Sequence, residues 1–378
     1  MRTQALIVGV VALAACAFGA TMGTEQFFRS YLFGFLFWFG IALGCLALVM
    51  LHHLVAGGWG FVIQRLLEAG TRTLPLMLLL FLPIFFGMKE LYLWARPEAV
   101  RADEILQHKS IYLNIPFFWL RTFGYFALWL LFAFLLNRWS GKQDQTGETA
   151  LTKRLEALSG PGLVVFVMTA TFAAIDWVMS LDPHWFSTIY GVLFIVGHGL
   201  STLAFAIIVV NLLSKHQPLA EVISPRLFHD LGTLMFAFVM LWAYISFSQF
   251  LIIWSGNLPE EIPWYVHRMH GGYGVFAVAL WIFHFAVPFV LLLSRRLKRK
   301  AEMLVRIAVL MVVIRALDLF WVVVPNFHPE KLHVHWMDIL APIGIGGIWL
   351  AVFFWQLNGR ALLPLRDPRL QEAFQHEH

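Results

Sequence analysis

Long apolar stretches dominate this chain, and each is long enough for an α-helix to cross a membrane. A spanning helix needs about 17–25 predominantly apolar residues. Ten such stretches are predicted, near 5–22, 28–54, 74–94, 111–136, 162–181, 187–213, 227–254, 269–293, 304–324 and 337–357. Only 13% of the 378 residues are charged and 60% are hydrophobic, whereas a soluble domain has about 25% charged residues. The sequence therefore predicts an all-α polytopic membrane protein with about ten transmembrane helices.

The loops between these stretches differ in basic charge. With the N-terminus in the cytoplasm, 17 Lys and Arg residues lie in inner segments and 6 in outer loops. The six outer residues are Arg29, Arg96, Arg101, Lys109, Arg268 and Lys331. Because cytoplasmic loops carry the excess of Lys and Arg, both termini are expected on the cytoplasmic side. The basic run 295–300 is first a topology signal, and lipids are also expected partners of such a chain.

Two segments outside the main stretches need separate interpretation. Arg2, the apolar run after it and the small residues of 17–20 resemble a secretory signal. The run is close to spanning length, and keeping it gives a coherent topology, so it is interpreted as a retained first helix. The polar segment 137–160 is the longest predicted loop and is interpreted as a linker between bundles.

Similar motifs recur in two parts of the chain in the same order. Residues 37–40 resemble residues 194–197, and Ala-Leu-Trp occurs at 127–129 and again at 279–281. Helices 2–5 and 6–9 are therefore predicted to be two versions of one four-helix unit, and sites often lie within or between such repeats. The expected domains are a peripheral helix 1 over 1–26, a first four-helix bundle over 27–186, a second over 187–326, and helix 10 with a cytoplasmic tail over 327–378.

Two aspartates lie deep inside apolar stretches. Asp176 and Asp318 are each followed seven residues later by a proline, Pro183 and Pro325. A carboxylate at bilayer depth costs about 2.5–3.5 kcal/mol on insertion scales, so it usually faces a protein interior or a wet path. Two such acids point to proton or quinone chemistry, or else to buried structural acids paired on other helices.

The second unit carries further polar residues inside the membrane. Arg315 and Asp318 lie three residues apart on one helix face, which suits an intrahelical ion pair or a proton relay in which Asp318 changes protonation. His198 lies in the middle of helix 6 and is interpreted as either a hydrogen-bonded packing residue or a relay residue. These three residues form the candidate polar path of the second bundle.

Polar residues near the outer end of the first unit are also candidates. Arg121 lies too deep in helix 4 to reach water easily, so it is expected to pair with Asp176 or Glu90. His184 follows an Asp-Pro turn signal and is a candidate ligand for a quinol beside Asp176, or simply an interfacial residue.

The cysteines give no sign of a redox metal. Cys16 and Cys45 both fall in apolar segments, and no C-x-x-C or C-x-x-C-H motif occurs. The chain therefore lacks a sequence signature for an iron–sulfur cluster, a c-type haem or a zinc site. Electrons, if they move here, must pass to a partner.

Two motifs are similar to those of a known family. Residues 176–191, which include Asp176-Trp177 and Asp182-Pro183-His184-Trp185, and residues 254–261, Trp-Ser-Gly-Asn-Leu-Pro-Glu-Glu, resemble the NrfD/polysulfide-reductase type of membrane subunit. Within it they resemble the smaller of the two such subunits in bacterial alternative complex III. The resemblance covers nearly the whole chain.

That resemblance implies a function in respiratory electron transfer. It implies a bacterial inner-membrane complex that oxidises quinol or menaquinol and contains a sister NrfD-like subunit, an iron–sulfur subunit and c-type cytochromes that carry haem c. Electrons would pass to a cytochrome c or directly to a terminal oxidase. Asp176 occupies the helix-5 place associated with quinol in the sister subunit, whereas Arg121 and Asn114 stand where that subunit has a histidine on helix 4. Quinol oxidation, proton translocation and a pseudo-copy without its own site remain alternatives within this family.

Two alternatives lie outside quinol chemistry. A secondary transporter with a midplane site would show interrupted helices at matching positions of the two units. A structural scaffold would only dock partner subunits.

Overall fold

Ten long helices make up the part of the chain that the structure describes, as the sequence predicts. The computed structural model describes residues 2–370, which contain no β-strand. The ten spans are α1 (Arg2–Ala20), α2 (Thr24–Val55), α3 (Gly58–Phe86), α4 (Ile115–Thr146), α5 (Thr149–Trp177), α6 (Tyr190–Leu213), α7 (Pro225–Gly256), α8 (Tyr273–Leu293), α9 (Ala301–Val323) and α10 (Trp336–Leu357). Each is long and apolar enough to cross a bilayer. The protein is therefore an all-α, multi-pass membrane protein.

Successive spans run in opposite directions, so the two ends of the described chain lie on one face. The ends of α2, α4 and α10 meet there, because Arg369 donates to the carbonyl of His53 at 3.2 Å and Arg366 donates to the carbonyl of Gln145. We call this the terminal face and the other the opposite face. On the opposite face the short helices Pro97–Ala102, Glu104–Lys109 and Ile262–Met269 lie between spans.

Helices α2–α5 form a closed ring in which each helix contacts two neighbours, and helices α6–α9 form a second ring of the same kind. The rings meet where α6 packs against α2 and α5, and α10 packs against α2 on the outside. Glycines allow the close approach of α2 and α6: a Cβ at Gly40 would lie 2.7 Å from the His198 ring, and one at Gly44 would lie 2.6 Å from the His198 carbonyl oxygen. Thr202 on α6 adds a hydrogen bond to the carbonyl of Ile41 at 3.0 Å.

The third span begins much earlier than predicted. Its first helix is Gly58–Thr71, and the chain then continues through the short helices Leu74–Phe81 and Pro83–Phe86, whose second and first residues, respectively, are prolines. Arg65 and Glu68 lower the hydropathy of the first part, and a charged segment reads as a loop from sequence alone. The residues Arg65 and Glu68 are in fact about 1% exposed. Arg65 and Arg72 both lie in the span Gly58–Phe86, so neither counts as a loop charge.

The polar segment 137–160 is not a linker loop. Helix α4 continues to Thr146, Gly147 ends it with a positive φ of 68°, and α5 begins at Thr149. Lys, Gln, Asp and Glu are good or acceptable helix residues, so polarity alone does not end a helix. A 32-residue helix such as α4 exceeds the roughly 30 Å hydrocarbon core and extends beyond it.

Candidate functional site

Asp176 lies at the end of α5 and is fully buried. Its Oδ1 accepts a hydrogen bond from Nη2 of Arg121 at 2.9 Å, and its Oδ2 accepts from Nε of Arg121 at 2.8 Å and from the Tyr125 hydroxyl at 2.8 Å. The structure thus selects Asp176, rather than Glu90, as the partner of Arg121. Both carboxylate oxygens are occupied by protein donors.

Arg121 is itself held firmly in place. Its Nη1 donates to the carbonyl of Tyr112 at 2.9 Å, and its guanidinium lies 3.8 Å and 4.3 Å from the ring centres of Tyr112 and Phe117. A cavity of about 270 Å³ lies nearby, lined by Tyr112, Ser180 and neighbours but not by Asp176. The Asp176–Arg121 pair is therefore closed, in this arrangement, to a ligand in that cavity.

His184 points away from this pair. Its side chain is 43% exposed, and its Nε2 lies 2.5 Å from Oδ2 of Asp103. Asp103 also caps the helix Glu104–Lys109, since its carboxylate accepts from the backbone N–H groups of Ile105 and Leu106. The hydrogen bond with His184 is the main cause of a lowered pKa for Asp103. The two residues tie the loop after α5 to the short helices before α4.

Asp318 and Arg315 form the expected intrahelical ion pair on α9. Nη1 of Arg315 bonds Oδ2 of Asp318, and both side chains are almost completely buried. Nδ1 of His284 on α8 lies 4.0 Å from the same oxygen. Both contacts involve Oδ2, which leaves Oδ1 outside them.

A cavity of about 720 Å³ reaches Asp318 from the lipid side. It lies in the half of the second ring nearest the opposite face, between α7, α8 and α9, with Leu193 of α6 also in its wall. Its walls are mainly aromatic and aliphatic. The lining residues include Met240, Trp242, Tyr244, Phe247, Phe250, Trp281, Phe285 and Trp321, together with the polar side chains of Ser246, Gln249, Tyr265 and Asp318. Tyr244, Phe247 and Trp281 are 61–68% exposed on the membrane-spanning surface, so the cavity opens sideways towards lipid.

The helix Ile262–Met269, which we call the cover, closes the end of this cavity nearest the opposite face. Arg268 fixes it to α9 by donating to the carbonyl of Val322 at 2.7 Å and to Oδ1 of Asn326 at 2.9 Å. Nε2 of Gln249 on α7 donates to the hydroxyl of Tyr265 in this helix at 3.3 Å. Burial raises the pKa of Tyr265 to about 12, so its hydroxyl stays protonated and can donate to a ligand at neutral pH.

His284 is a candidate functional residue that the sequence did not connect with Asp318. It is fully buried, its ring centre lies 3.7 Å from that of Trp242, and neither ring nitrogen has a hydrogen-bond partner among residues 2–370. It sits in a π-helical turn, Trp281–Ala286, inside α8. π-Helical turns occur often at functional sites. Such a turn leaves no trace in apolar periodicity, which explains why the sequence did not reveal it.

His198 lies between the two rings and does not join the Asp318 cluster directly. It is buried, and Phe39 and Phe194 approach it edge to face with ring centres 6.2 Å and 6.0 Å away. Arg315 approaches α6 at Gly197, where a Cβ would overlap its guanidinium, and at Phe194, whose ring centre is 5.7 Å away. The structure thus brings together Arg315 and Asp318, and separately Arg121 and Asp176.

A third buried polar cluster lies near the terminal face. Glu68 accepts from Arg65 at 2.6 Å, from Ser140 at 2.6 Å and from Gln64 at 3.0 Å, and Arg65 also bonds Asp144 at 2.5 Å. The sequence does contain a signal for it. Arg-Leu-Leu-Glu at 65–68 has the same spacing as Arg-Ala-Leu-Asp at 315–318, but it lay in a segment interpreted as a loop.

Fold and site together define a multi-pass α-helical membrane protein with buried acid–base clusters and one lipid-facing cavity that ends at a carboxylate. Among residues 2–370, no group of three or more His, Cys, Asp or Glu side chains has a metal-binding arrangement. Neither protein-family models nor curated proteins give a match to this chain.

Proposed function

We propose that this chain is a membrane subunit of a bacterial quinol-oxidising respiratory complex, of the NrfD/polysulfide-reductase type and similar to ActF. Its terminal face would be cytoplasmic and the complex would lie in the inner membrane. The observation that supports this function most is the lipid-facing cavity of about 720 Å³ with Asp318 in its wall. Pockets for small organic ligands measure about 300–1,000 Å³ and are mostly apolar with a few placed polar groups.

The chemistry of this cavity matches that of a quinol. An aromatic-lined cavity that opens to lipid suits a flat ring with an apolar tail, and Asp318 supplies an acceptor for a hydroxyl proton. Tyr265 and Gln249 supply polar contacts for the ring's other oxygen. Oxidation of a quinol to a quinone releases two electrons and two protons. The electrons would pass to iron–sulfur and haem c groups on partner subunits, and Asp318 with His284 would receive protons.

The setting of Asp318 allows it to take up a proton and pass it on. Arg315 stabilises the charged carboxylate, while His284 lies 4.0 Å away with both ring nitrogens unpartnered among the described residues. Asp176 lacks such access because Arg121 and Tyr125 occupy its carboxylate. The quinol contact is therefore assigned to the second ring rather than to Asp176 and His184.

The transporter alternative is disfavoured by the helices themselves. It requires interruptions at matching positions of the two units. Helix α3 is interrupted, but its counterpart α7 is a continuous 32-residue helix from Pro225 to Gly256.

The test is quinol:cytochrome c reductase activity of the complex purified through a tag on this chain. Asp318→Asn should lower turnover by about hundredfold, as the loss of a general base typically does, while assembly on a native gel stays normal. Ala277→Trp would fill the cavity and should raise KM, whereas Ala14→Trp on the exposed side of α1 is the matched control and should change neither value.

Three results would count against the proposal. They are a preparation without co-purifying redox subunits, normal turnover in Asp318→Asn, and an unchanged KM in Ala277→Trp. Asp176→Asn locates the chemistry: if it alone abolishes turnover with normal assembly, the quinol contact lies in the first ring.

A further inference from the structure

A polar cavity of about 600 Å³ opens on the terminal face, between the end of α4 and the segment 359–366. Four of its lining residues are basic and one is acidic. They are Arg138, Lys142, Arg360, Arg366 and Asp144. This cavity lies at the other end of the protein from Asp318 and takes no part in the proposed quinol chemistry.

Most of these charges already have a charged or polar partner within the protein, and Arg138 is the exception. Asp144 bonds Arg65 at 2.5 Å, Lys142 lies 3.5 Å from Glu148, and Arg366 donates to the carbonyl of Gln145. The exposed Arg138 makes only a distant contact with the ring of Phe134. Asp144, the acidic lining residue, is thus already paired with Arg65 within the protein.

Arg360 is held only loosely within the protein. Its side chain is 32% exposed, and its buried Nη1 forms a long ion pair with Oε2 of Glu68 at 3.6 Å but makes no hydrogen bond among residues 2–370. Glu68 is already bonded to Arg65, Ser140 and Gln64. A buried guanidinium donor without an acceptor costs free energy, which an anion in the cavity would recover.

An apolar stripe leads from the membrane to this cavity. Helix α4 exposes one face of residues at helical spacing, and these are Leu120, Phe123, Ala127, Leu131 and Phe134, followed by Arg138. A lipid chain could lie along this face with its headgroup at Arg138. The apolar stripe would contribute nothing to the binding of a free phosphate ion.

We infer that this cavity binds the phosphate group of an anionic phospholipid, held by Arg138 and Arg360, with an acyl chain along the exposed face of α4. Basic pockets beside membrane helices on the cytoplasmic side are suited to such headgroups, and arginine matches phosphate geometry with two parallel donors.

Native mass spectrometry of the full chain in detergent, titrated with phosphatidylglycerol or phosphatidylcholine, tests this inference. Phosphatidylglycerol should bind more tightly, and Arg138→Gln/Arg360→Gln should weaken it by roughly tenfold or more. The matched control Lys153→Gln/Arg154→Gln removes the same charge from exposed positions of α5 outside the cavity and should retain binding. Because Arg138 is exposed and makes no hydrogen bond within the described chain, Arg138→Gln alone provides a variant that should fold normally and bind more weakly.

Two outcomes would overturn the inference. Equal weakening in the cavity variant and the control would mean a general effect of surface charge. Complete displacement of phosphatidylglycerol by millimolar inorganic phosphate would assign the cavity to a free phosphate ion instead.

Discussion

Arg121 and Asp176 form a forked ion pair across α4 and α5, in which two guanidinium nitrogens meet the two carboxylate oxygens at 2.8 Å and 2.9 Å. Asp176 is fully buried, and the Arg121 side chain is 10% exposed. Tyr125 supplies a third donor at 2.8 Å. A pair this well satisfied fixes the packing of the two helices, and removing one partner leaves an uncompensated charge.

Breaking this pair should strongly destabilise the protein. Asp176→Leu is expected to lower the free energy of unfolding by about 3–5 kcal/mol, because the Arg121 guanidinium remains buried without its counter-charge. The double variant Arg121→Met/Asp176→Leu should recover most of the loss. Unfolding in mixed micelles, followed by circular dichroism, measures both.

An exposed pair provides the control for this experiment. Glu25 and Arg29 lie one turn apart with 58% and 17% side-chain exposure, so Glu25→Gln should cost less than about 1 kcal/mol. If the Asp176→Leu variant were as stable as the parent protein, the structural role assigned to the Arg121–Asp176 pair would be refuted.

Gly197 should be intolerant of even one added methyl group. A Cβ there would overlap the guanidinium of Arg315, which Asp318 holds in place. Gly197→Ala is therefore expected to cost about 1–3 kcal/mol, as overpacking in a core usually does. Gly124→Ala is the matched control, because a Cβ at Gly124 meets nothing within 4 Å. A thermal midpoint unchanged in both variants would show that Arg315 can move freely.

The close packing of α1 against α10 depends on two glycines. A Cβ at Gly9 would lie 2.6 Å from the backbone nitrogen of Ile348, and one at Gly347 would lie 2.5 Å from the carbonyl oxygen of Ala5. Small residues allow membrane helices to approach this closely. Gly9→Leu should therefore push α1 away and expose Cys16, which is fully buried against Met337.

Labelling with a membrane-permeant maleimide measures that exposure. Cys16 should react several-fold faster in Gly9→Leu than in the parent protein, while Cys45 in the α2 core stays protected as an internal reference. Gly23→Ala, whose added Cβ has only Gln26 at 3.9 Å, should leave Cys16 protected. Equal labelling in all three proteins would contradict the close α1–α10 contact.

The ten helices and the Arg315–Asp318 pair follow from the sequence because both are local properties. Apolar length sets a span, and an i, i+3 spacing brings two side chains to one face. Arg121 required the structure to choose its partner, since Asp176 is 55 residues away and Glu90 is 31 residues away in sequence. Only the packing of α4 on α5 decides between them.

Other features depend on tertiary packing and have no local signal. The cavity beside Asp318 is formed by side chains from four spans and the cover Ile262–Met269. The sequence does not reveal the early start of α3, because a hydropathy average counts the charges of Arg65 and Glu68 separately. In the structure these two side chains neutralise each other inside the protein. The helical path through 137–146 shows the converse: polar residues there extend a helix beyond the membrane instead of forming a loop.

The loop after α9 should open as the pH falls. His328 lies 4.4 Å from the ring of His333 and 3.5 Å from Nη1 of Arg29. Burial, followed by the charges of His333 and Arg29, lowers the pKa of His328 below its usual value of 6.5. The unfolded loop therefore takes up a proton first as the pH falls through about 6.5, so the folded loop loses stability on acidification and is most stable above that pH.

Hydrogen exchange of residues 327–334 should be faster at about pH 5 than at about pH 7.5 after correction for intrinsic rates. His328→Gln should remove most of this difference, whereas the exposed His108→Gln should keep it, and a difference that survives in His328→Gln would assign the pH response to another group.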